Sequence, residues 1–358
     1  ADQLRWALAA DVCALVRRSP GITRAQVVRE LGISTGTAAD LVTRMRRAAV
    51  LTEGEPVPHG RGRPTSALTA HPRGPLVIAV EITATGWRMV SAGLDGRLRA
   101  VAAEAGARAG RVRAVSVAAA ATVRDGSVVQ SSVLDWDRVS LAPLRAPGAD
   151  LLVANDATCE ALAESRRGAS RGARSALHLT MLAGVGGGLV LDGAPVLGAT
   201  GLAMEVGHLP LGDPRALCSC GARGCWDTVL GAGPLAGRLG ADDDSVPALE
   251  AAIARGGPAL AAAAASLGRG LAGLINVTDP DVVTLGGLGP LLRSHCPEAF
   301  EEALTGGLMR CLREDRPRIA VGELGADAAL VGAVETALDE VAGPAGLAAW
   351  AGREAPGD

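Results

Sequence analysis

Between Glu205 and Asp227 the sequence reads EVGHLPLGDPRALCSCGARGCWD, and no other stretch so narrows what the chain can fold into. One imidazole and three thiols, His208, Cys218, Cys220 and Cys225, fall together there. The cysteines sit too close in sequence for a disulfide network, so a metal reading outweighs an oxidised scaffold. Three thiolates and a neutral imidazole make a closed tetrahedral zinc site of the structural kind, and Gly221 and Gly224 let the backbone wrap around the ion. Free buried thiols plus a core histidine are the plain alternative, which the demanding spacing disfavours. Cys13, Cys159, Cys296 and Cys311 stand apart and read as small buried hydrophobes.

At 358 residues the chain exceeds one ordinary core, and 48% hydrophobic against 20% charged residues is the balance of a folded protein. There is no Lys and no Tyr, and Ala, Gly and Arg are abundant, a pattern of coding bias that leaves Leu, Val and Ala to build the core. The net charge of −3 conceals an asymmetry: residues 1–75 hold 11 Arg against 6 acids, the remainder 24 Arg against 32. Only the amino-terminal part is suited to a polyanion. No stretch of 18 or more apolar residues lacks a charge, and Asp2, Arg5 and Asp11 lie in an amphipathic start unlike a signal peptide. The expectation is a cytoplasmic protein without a membrane partner.

Residues 3–18 carry Leu4, Leu8, Val12, Leu15 and Val16 at helical spacing, stopped by Ser19, Pro20 and Gly21. Thr23 can cap a second helix to Leu31, with Ala25, Val27, Val28 and Leu31 inward and Gly32 ending it. Ser34 can cap a third, to about Ala49, with Leu41, Val42 and Met45 inward. Two short strands, Val50–Glu53 and Ser66–Thr69, flank GEPVPHGRGRP, so helix, helix, turn, helix and wing follow in order. In such a module the last helix enters the major groove. Ser34, Thr35 and Thr37 at its start would meet base edges, while Arg44, Arg47, Arg61 and Arg63 would neutralise phosphates of a double-stranded operator. Asp40 is discordant unless it accepts from a cytosine or sits off the groove. A three-helix protein-interaction domain is the competing reading.

His71 to Pro75 is a breaker run marking a linker. Beyond it come LVIAVEI and WRMVSAGL, then LLVAND leading into a helix, ALHLTML, GGLVLDG and Ala-rich helices around VVTLGG. Strands first and βα alternation later argue for a mixed α/β domain of two lobes. The strand LLVAND ends in Asn155 and Asp156, at the carboxyl edge where such sheets offer side chains to ligands; a turn with a helix cap is the plainer reading of the same pair.

ITRAQVVRELGISTGTAADLVTRMRRAAVLTEGEPVPHGRGRP resembles the DNA-binding end of the ROK family (repressors, open reading frames and sugar kinases), whose regulators include the xylose and N-acetylglucosamine repressors. The likeness continues to about residue 340 and through the zinc loop, where the family's CxCGxxGCxE is matched except that Asp227 replaces the final Glu. It implies a winged helix-turn-helix over 1–70, a linker at 71–75, a two-lobed actin-like ATPase domain of the sugar-kinase type over 76–345 with the zinc loop at 205–227, and a tail at 346–358. It also assigns sugar contacts to Asn155, Asp156, Glu205, His208 and Asp227, Asp156 being the family's general-base position.

The nucleotide turns depart from the family's pattern. Its DxGGT is Glu81, Ile82, Thr83, Ala84, Thr85 here, its GTGxGGG is LAGVGGG at 182–188, and alanines 118–121 replace a proline-glycine loop; the segment between Val101 and Val112 is short for the usual helix. GVGGG and the LGG at 285–287 are then as well explained by turns as by phosphate. The expectation is therefore a DNA-binding repressor, not an enzyme, that holds structural Zn2+, senses a sugar or sugar phosphate without phosphorylating it, and forms a homodimer or tetramer. A zinc-containing sugar kinase with a fused DNA module is the alternative, and a partner-binding remnant of the fold the third.

Overall fold

The computed structural model describes residues 2–57, 65–101 and 110–353. Local capping chemistry sets the first elements. Helix α1 (Asp2–Arg18) is followed by α2 (Arg24–Leu31), opened by a capping box in which the Thr23 hydroxyl accepts from the Gln26 backbone N–H while the Gln26 side-chain Oε1 accepts from the Thr23 N–H at 2.8 Å. Gly32, left-handed at φ 63°, closes it. Ser34 caps α3 (Thr35–Arg47), accepting from the Thr37 N–H at 3.0 Å. Val27, Leu41, Val42 and Met45 are buried as expected, whereas Ala25 is exposed because it lies roughly 200° around the helix from Val27. An antiparallel hairpin, β1 (Leu51–Val57) and β2 (Thr65–Ala70), completes this module. Arg61 and Arg63 lie outside the described residues.

Beyond it the chain forms β3 (Leu76–Thr83), β4 (Gly86–Ala92), β5 (Arg99–Ala100), β6 (Val112–Ala119), β7 (Thr122–Arg124), β8 (Ser127–Ser131), β9 (Trp136–Asp137), β10 (Asp150–Asn155) and α4 (Asp156–Arg167). The second half holds β11 (Ser175–Met181), β12 (Val185–Leu191), β13 (Ala194–Pro195), α5 (Asp227–Leu230), α6 (Ala232–Leu239), α7 (Val246–Arg255) and α8 (Pro258–Thr278). It ends with β14 (Val282–Gly287), α9 (Gly289–His295), α10 (Pro297–Gly307), α11 (Arg310–Glu314), β15 (Arg318–Val321), α12 (Ala328–Val341) and α13 (Pro344–Ala351). Two five-stranded mixed sheets result, ordered β10-β6-β3-β4-β5 and β13-β12-β11-β14-β15, one per lobe. A small three-stranded sheet, β7-β8-β9, has no counterpart in the expectation from sequence, its strands being too short to show a period. Among the described residues α8 alone is long and apolar enough to cross a membrane, and it is a core helix with Leu260, Leu267, Leu271 and Ile275 buried.

Helices α4 and α12 meet so closely that a Cβ on Gly332 would fall within 2 Å of the Cys159 carbonyl oxygen, so only glycine fits. One continuous apolar cluster joins Trp6, Val12 and Val16 of α1 to Val77 of β3, Val334 and Leu338 of α12, and Leu347 of α13. The expected tail is thus helical to Ala351, and the Trp350 indole N–H donates to the Ala48 carbonyl at 2.8 Å, tying the last helix to the end of α3. Gly74 and Pro75 of the breaker run are buried rather than loose. Cys13 and Cys159 are buried, but Cys296 is only partly so and Cys311 is exposed, which corrects their reading as core residues: Cys311 sits on a short surface helix with no buried residue.

An ionic cluster accompanies this packing. Glu335 of α12, its side chain only 3% exposed, accepts from Arg166 Nη1 at 3.0 Å and Arg167 Nε at 2.7 Å. Asp339, one turn on, takes both Arg166 terminal nitrogens at 2.8 and 2.7 Å. Arg17 of α1 reaches to 3.9 Å from Asp339, and its Nη1 is buried without a hydrogen-bond partner among the described residues. Burial alone would raise the Glu335 carboxyl, but Arg17, Arg167 and Arg166 outweigh it and hold the group below the usual range.

Candidate functional site

The four sequence-nominated metal ligands converge: every donor atom of His208, Cys218, Cys220 and Cys225 lies within 4.8 Å of the others. A sulfur-ligated tetrahedron with bonds of about 2.3 Å has edges of about 3.8 Å. Cys220 Sγ to Cys225 Sγ is 3.6 Å and Cys218 Sγ to His208 Nδ1 is 3.8 Å, so the donor set fits a single ion. Gly221 at φ 92° and Gly224 at φ 73° take the left-handed turns that fold the loop back. Burial, then the neighbouring Cys220 and Cys218, push the Cys225 thiol up to about 12. Three clustered sulfurs ionise readily only around a cation.

His208 joins this cluster to a cleft of about 130 Å³ between the lobes. With Nδ1 toward Cys218, its Nε2 lies 4.0 Å from Glu205 Oε2. All five residues nominated for sugar contact line that cleft. Asn155 caps α4, its Oδ1 accepting from the Thr158 N–H at 3.1 Å while its Nδ2 donates to Ala121. The cap and the pocket position are therefore not alternatives. Asp156 begins α4, and burial, followed by the Glu160 and Glu81 carboxylates, pushes its carboxyl up to about 8. Glu205 and Asp227 are also raised, chiefly by burial. Asp227 Oδ1 is fixed by the Val185 N–H at 2.8 Å, and Oδ2 lies 4.0 Å from His208. The shorter acid thus still reaches the cleft edge.

Several contributors escaped the sequence reading. Beneath Asp156, buried His178 bridges Glu160 at 2.9 Å and Thr284 at 2.8 Å. Thr122 hydrogen-bonds Glu205, and the Thr180 hydroxyl, on the cleft wall, has no partner among the described residues. A histidine and two threonines inside otherwise apolar strands, in ALHLTML and VVTLGG, were the available signal.

The turns that resemble the family's nucleotide turns make contacts within the chain and border an open cavity of about 690 Å³ lined by Glu81, Thr83, Thr85, Arg88, Gly286 and Gly287. Glu81 is paired with Arg88 Nε at 2.6 Å, and Arg88 also reaches Asp327 at 2.9 Å and the Ala326 carbonyl. The Thr83 hydroxyl bonds within its own turn, to Thr85 and Gly86. The triple glycine serves packing: a Cβ on Gly186 would lie 2.7 Å from the Ala157 Cβ, on Gly187 2.9 Å from Val206, and on Gly188 2.5 Å from the Ala161 Cβ. Gly287 takes φ 55°, where a Cβ would strike the Met181 carbonyl.

In the amino-terminal module, Thr35, Thr37 and Arg47 are exposed, as is Asp40. Ser34 is exposed too, but its hydroxyl caps α3 and lies 2.8 Å from Thr37 Oγ1, which limits its reach. Arg44 is half-buried and already engaged within the fold.

Two mixed sheets, helices α4 and α12 between them, and a ligand-sized cleft bordered by a Cys3His loop define a two-lobed α/β fold of the actin-like sugar-kinase type. The chain belongs to the ROK family, whose model matches residues 85–340. It is 34% identical over 193 residues to the bifunctional enzyme NanE/NanK of Brucella suis, covering 53% of this chain and about a third (35%) of that protein's length. It is 28% identical over 270 residues to the glucokinase of Streptomyces coelicolor, 65% of this chain and 83% of that enzyme. Among solved structures, a ROK family transcriptional regulator described as a homolog of the E. coli MLC protein superposes with TM-score 0.76 at 20% identity, over 98% of this chain and 99% of that one. A ROK family glucokinase from Streptomyces griseus, in complex with glucose and AMPPNP, gives TM-score 0.61 at 26% identity, over 73% of this chain and 98% of the enzyme.

Proposed function

We propose that this chain is a cytoplasmic transcription repressor of the ROK family, in which a winged helix-turn-helix over 1–70 binds operator DNA and the two-lobed domain senses a sugar or sugar phosphate without phosphorylating it. The observation that carries the reading is the pairing of an exposed, basic third helix with a sugar-type cleft beside turns in which Thr83, Ala84, Leu182 and Ala183 replace the family's phosphate-binding pattern. Thr35 and Thr37, with Ser34 as cap, face base edges; Arg47 serves the phosphates, together with Arg44, Arg61 and Arg63. Asn155, Asp156, Glu205, His208 and Asp227 hold hydroxyls. A cleft of about 130 Å³ is below the roughly 300 Å³ of sites for drug-sized ligands and suits one sugar ring. The Cys3His loop holds structural zinc, and a dimer, or a pair of dimers, presents two reading helices to a palindrome.

A working sugar kinase with a fused DNA module is the second reading, favoured by the kinase relatives and by Asp156, which retains the position and raised pKa of a general base. One experiment separates them. Selection of bound duplexes from a random pool, paired with calorimetry and ATP-turnover assays against hexoses, amino sugars and their phosphates, should give a palindromic duplex and sugar binding without turnover. Turnover that depends on Asp156, with no duplex selected, refutes the repressor.

A further inference from the structure

Two of the cleft residues, Asn155 and Asp156, stand at one end of α4, and Arg166 and Arg167 stand at the other. Unbroken helix, about 15 Å from Asp156 to Arg166, lies between them. A helix of that length moves as a rod. Its far end grips Glu335 and Asp339 of α12, and the next cation along is Arg17, on the first helix of the DNA module. Cleft and module are thereby joined through five charged side chains, three guanidinium groups facing two carboxylates.

The cluster is unbalanced in a way that provides two arrangements. Arg166 holds Asp339 with both terminal nitrogens, whereas Arg17 Nη2 stops at 3.9 Å, too far for a hydrogen bond, and the other terminal nitrogen of Arg17, Nη1, is buried and unpartnered among the described residues. An orphaned guanidinium N–H away from water is costly and gains from any shift that brings an acceptor within about 3 Å. Arg166 has another acceptor in reach, donating to the Gly193 carbonyl at 3.2 Å, and keeps Glu335 at 3.0 Å. Arg167 is anchored independently on the Gly96 carbonyl at 2.8 Å. Asp339 can therefore pass from Arg166 to Arg17 without stranding Arg166, which keeps Glu335 and Gly193.

We propose that exchange of Asp339 between Arg166 and Arg17 is the switch through which the occupied cleft repositions the DNA module. Sugar bound against Asn155 and Asp156 displaces α4 along its axis, Arg166 draws away from Asp339, and Asp339 closes on Arg17. The pull falls on α1, which shares its core with α12 and α13, so α3 changes its presentation to the groove. Such an element is bistable, as coupling between distant sites requires, rather than a chain of intermediate contacts. The proposal rests on the reading of cleft and module as sugar and DNA sites.

The test uses the full chain, the duplex it selects from a random pool, and D-glucose, D-xylose, N-acetylglucosamine and N-acetylmannosamine, each free and phosphorylated, as probes. In the wild type a probe that binds should change duplex affinity by roughly 5–150-fold. Arg17→Met, which keeps the apolar stem, should bind the same probe and the same duplex unchanged, with the response reduced to less than about 2-fold. Asp339→Asn should behave alike, and Arg17→Lys should restore part of the response. Unchanged circular dichroism and metal content guard against misfolding, and a variant lost to misfolding is replaced by the other. A full response in Arg17→Met or Asp339→Asn overturns the switch while leaving the sugar and DNA sites standing. If no probe binds the wild type, or no duplex is selected, the underlying reading fails first, and the switch with it.

Discussion

Replacing Asp156 with asparagine should stabilise the protein, and the gain should grow with pH. The carboxyl is pushed from an ordinary 3.8 to about 8, first by burial and then by Glu160 and Glu81, despite the N–H bond from Ala157. An unfolded chain releases this proton near pH 3.9, whereas the folded chain keeps it to about pH 8. Between those values the native state binds the additional proton, so stability is complete below the lower pKa and declines as pH rises through the window. Displacement from 3.8 to about 8, at about 1.4 kcal/mol for each tenfold change in proton affinity, sets a ceiling of about 6 kcal/mol. Water entering the open cleft screens the group, and about 2–3 kcal/mol is the expected loss at the top of the window. Asparagine has no proton to lose and keeps the oxygen that accepts from Ala157. Urea unfolding of both proteins between about pH 5 and pH 8 should give curves that diverge with pH. Parallel curves, or a gap that narrows, refute the argument. A stabilising change that abolishes sugar binding would mark Asp156 as retained for ligand rather than fold.

Cys220→Ser should lower metal content from one ion per chain and destabilise the loop, since a structural ion contributes folding free energy directly; metal analysis and thermal unfolding check this, and zinc-free wild type refutes it. Gly188→Ala should cost about 1–3 kcal/mol through overpacking against Ala161, with no effect on nucleotide binding; a variant of normal stability with altered ATP affinity would return the glycine run to phosphate chemistry. Arg47→Ala should weaken all duplexes alike and reduce the salt slope by about one, while Thr37→Ala should relax base preference at one position; identical effects of the two on a set of operator variants contradict the placement of α3.

What could be read from the sequence was what neighbours decide. Thr23 with Gln26, Gly32 and Ser34 act over three or four residues, and they placed α2 and α3 almost to the residue. The CxC and following cysteine are likewise local, and the pocket acids were found through the family's motif. Glu335 could not be recognised, because its partners Arg166 and Arg167 are 169 and 168 residues away. His178 looked like one polar residue in a strand, and its meaning depends on Glu160 from α4 and Thr284 from a parallel neighbour. Arg88 gave no sign of closing over Glu81, since only the hairpin register places them opposite. Helix α13 was masked by Gly343 and Pro344 and by an apolar composition with little helical period.

The helix that ends with Ala351 has a consequence for how the protein is made. Helices α1 to α3 leave the ribosome before α13, yet the apolar surface of α1 is completed by Leu347, and the end of α3 is fastened by Trp350. Domains fold as they emerge when their cores are self-contained. This one must wait. Until α13 has been made, the amino-terminal module keeps part of its packing face uncovered, and it is sealed only after both lobes have been built. A nascent or prematurely terminated chain would carry α3 without its final support, so the order of assembly delays completion of the amino-terminal module until both lobes exist.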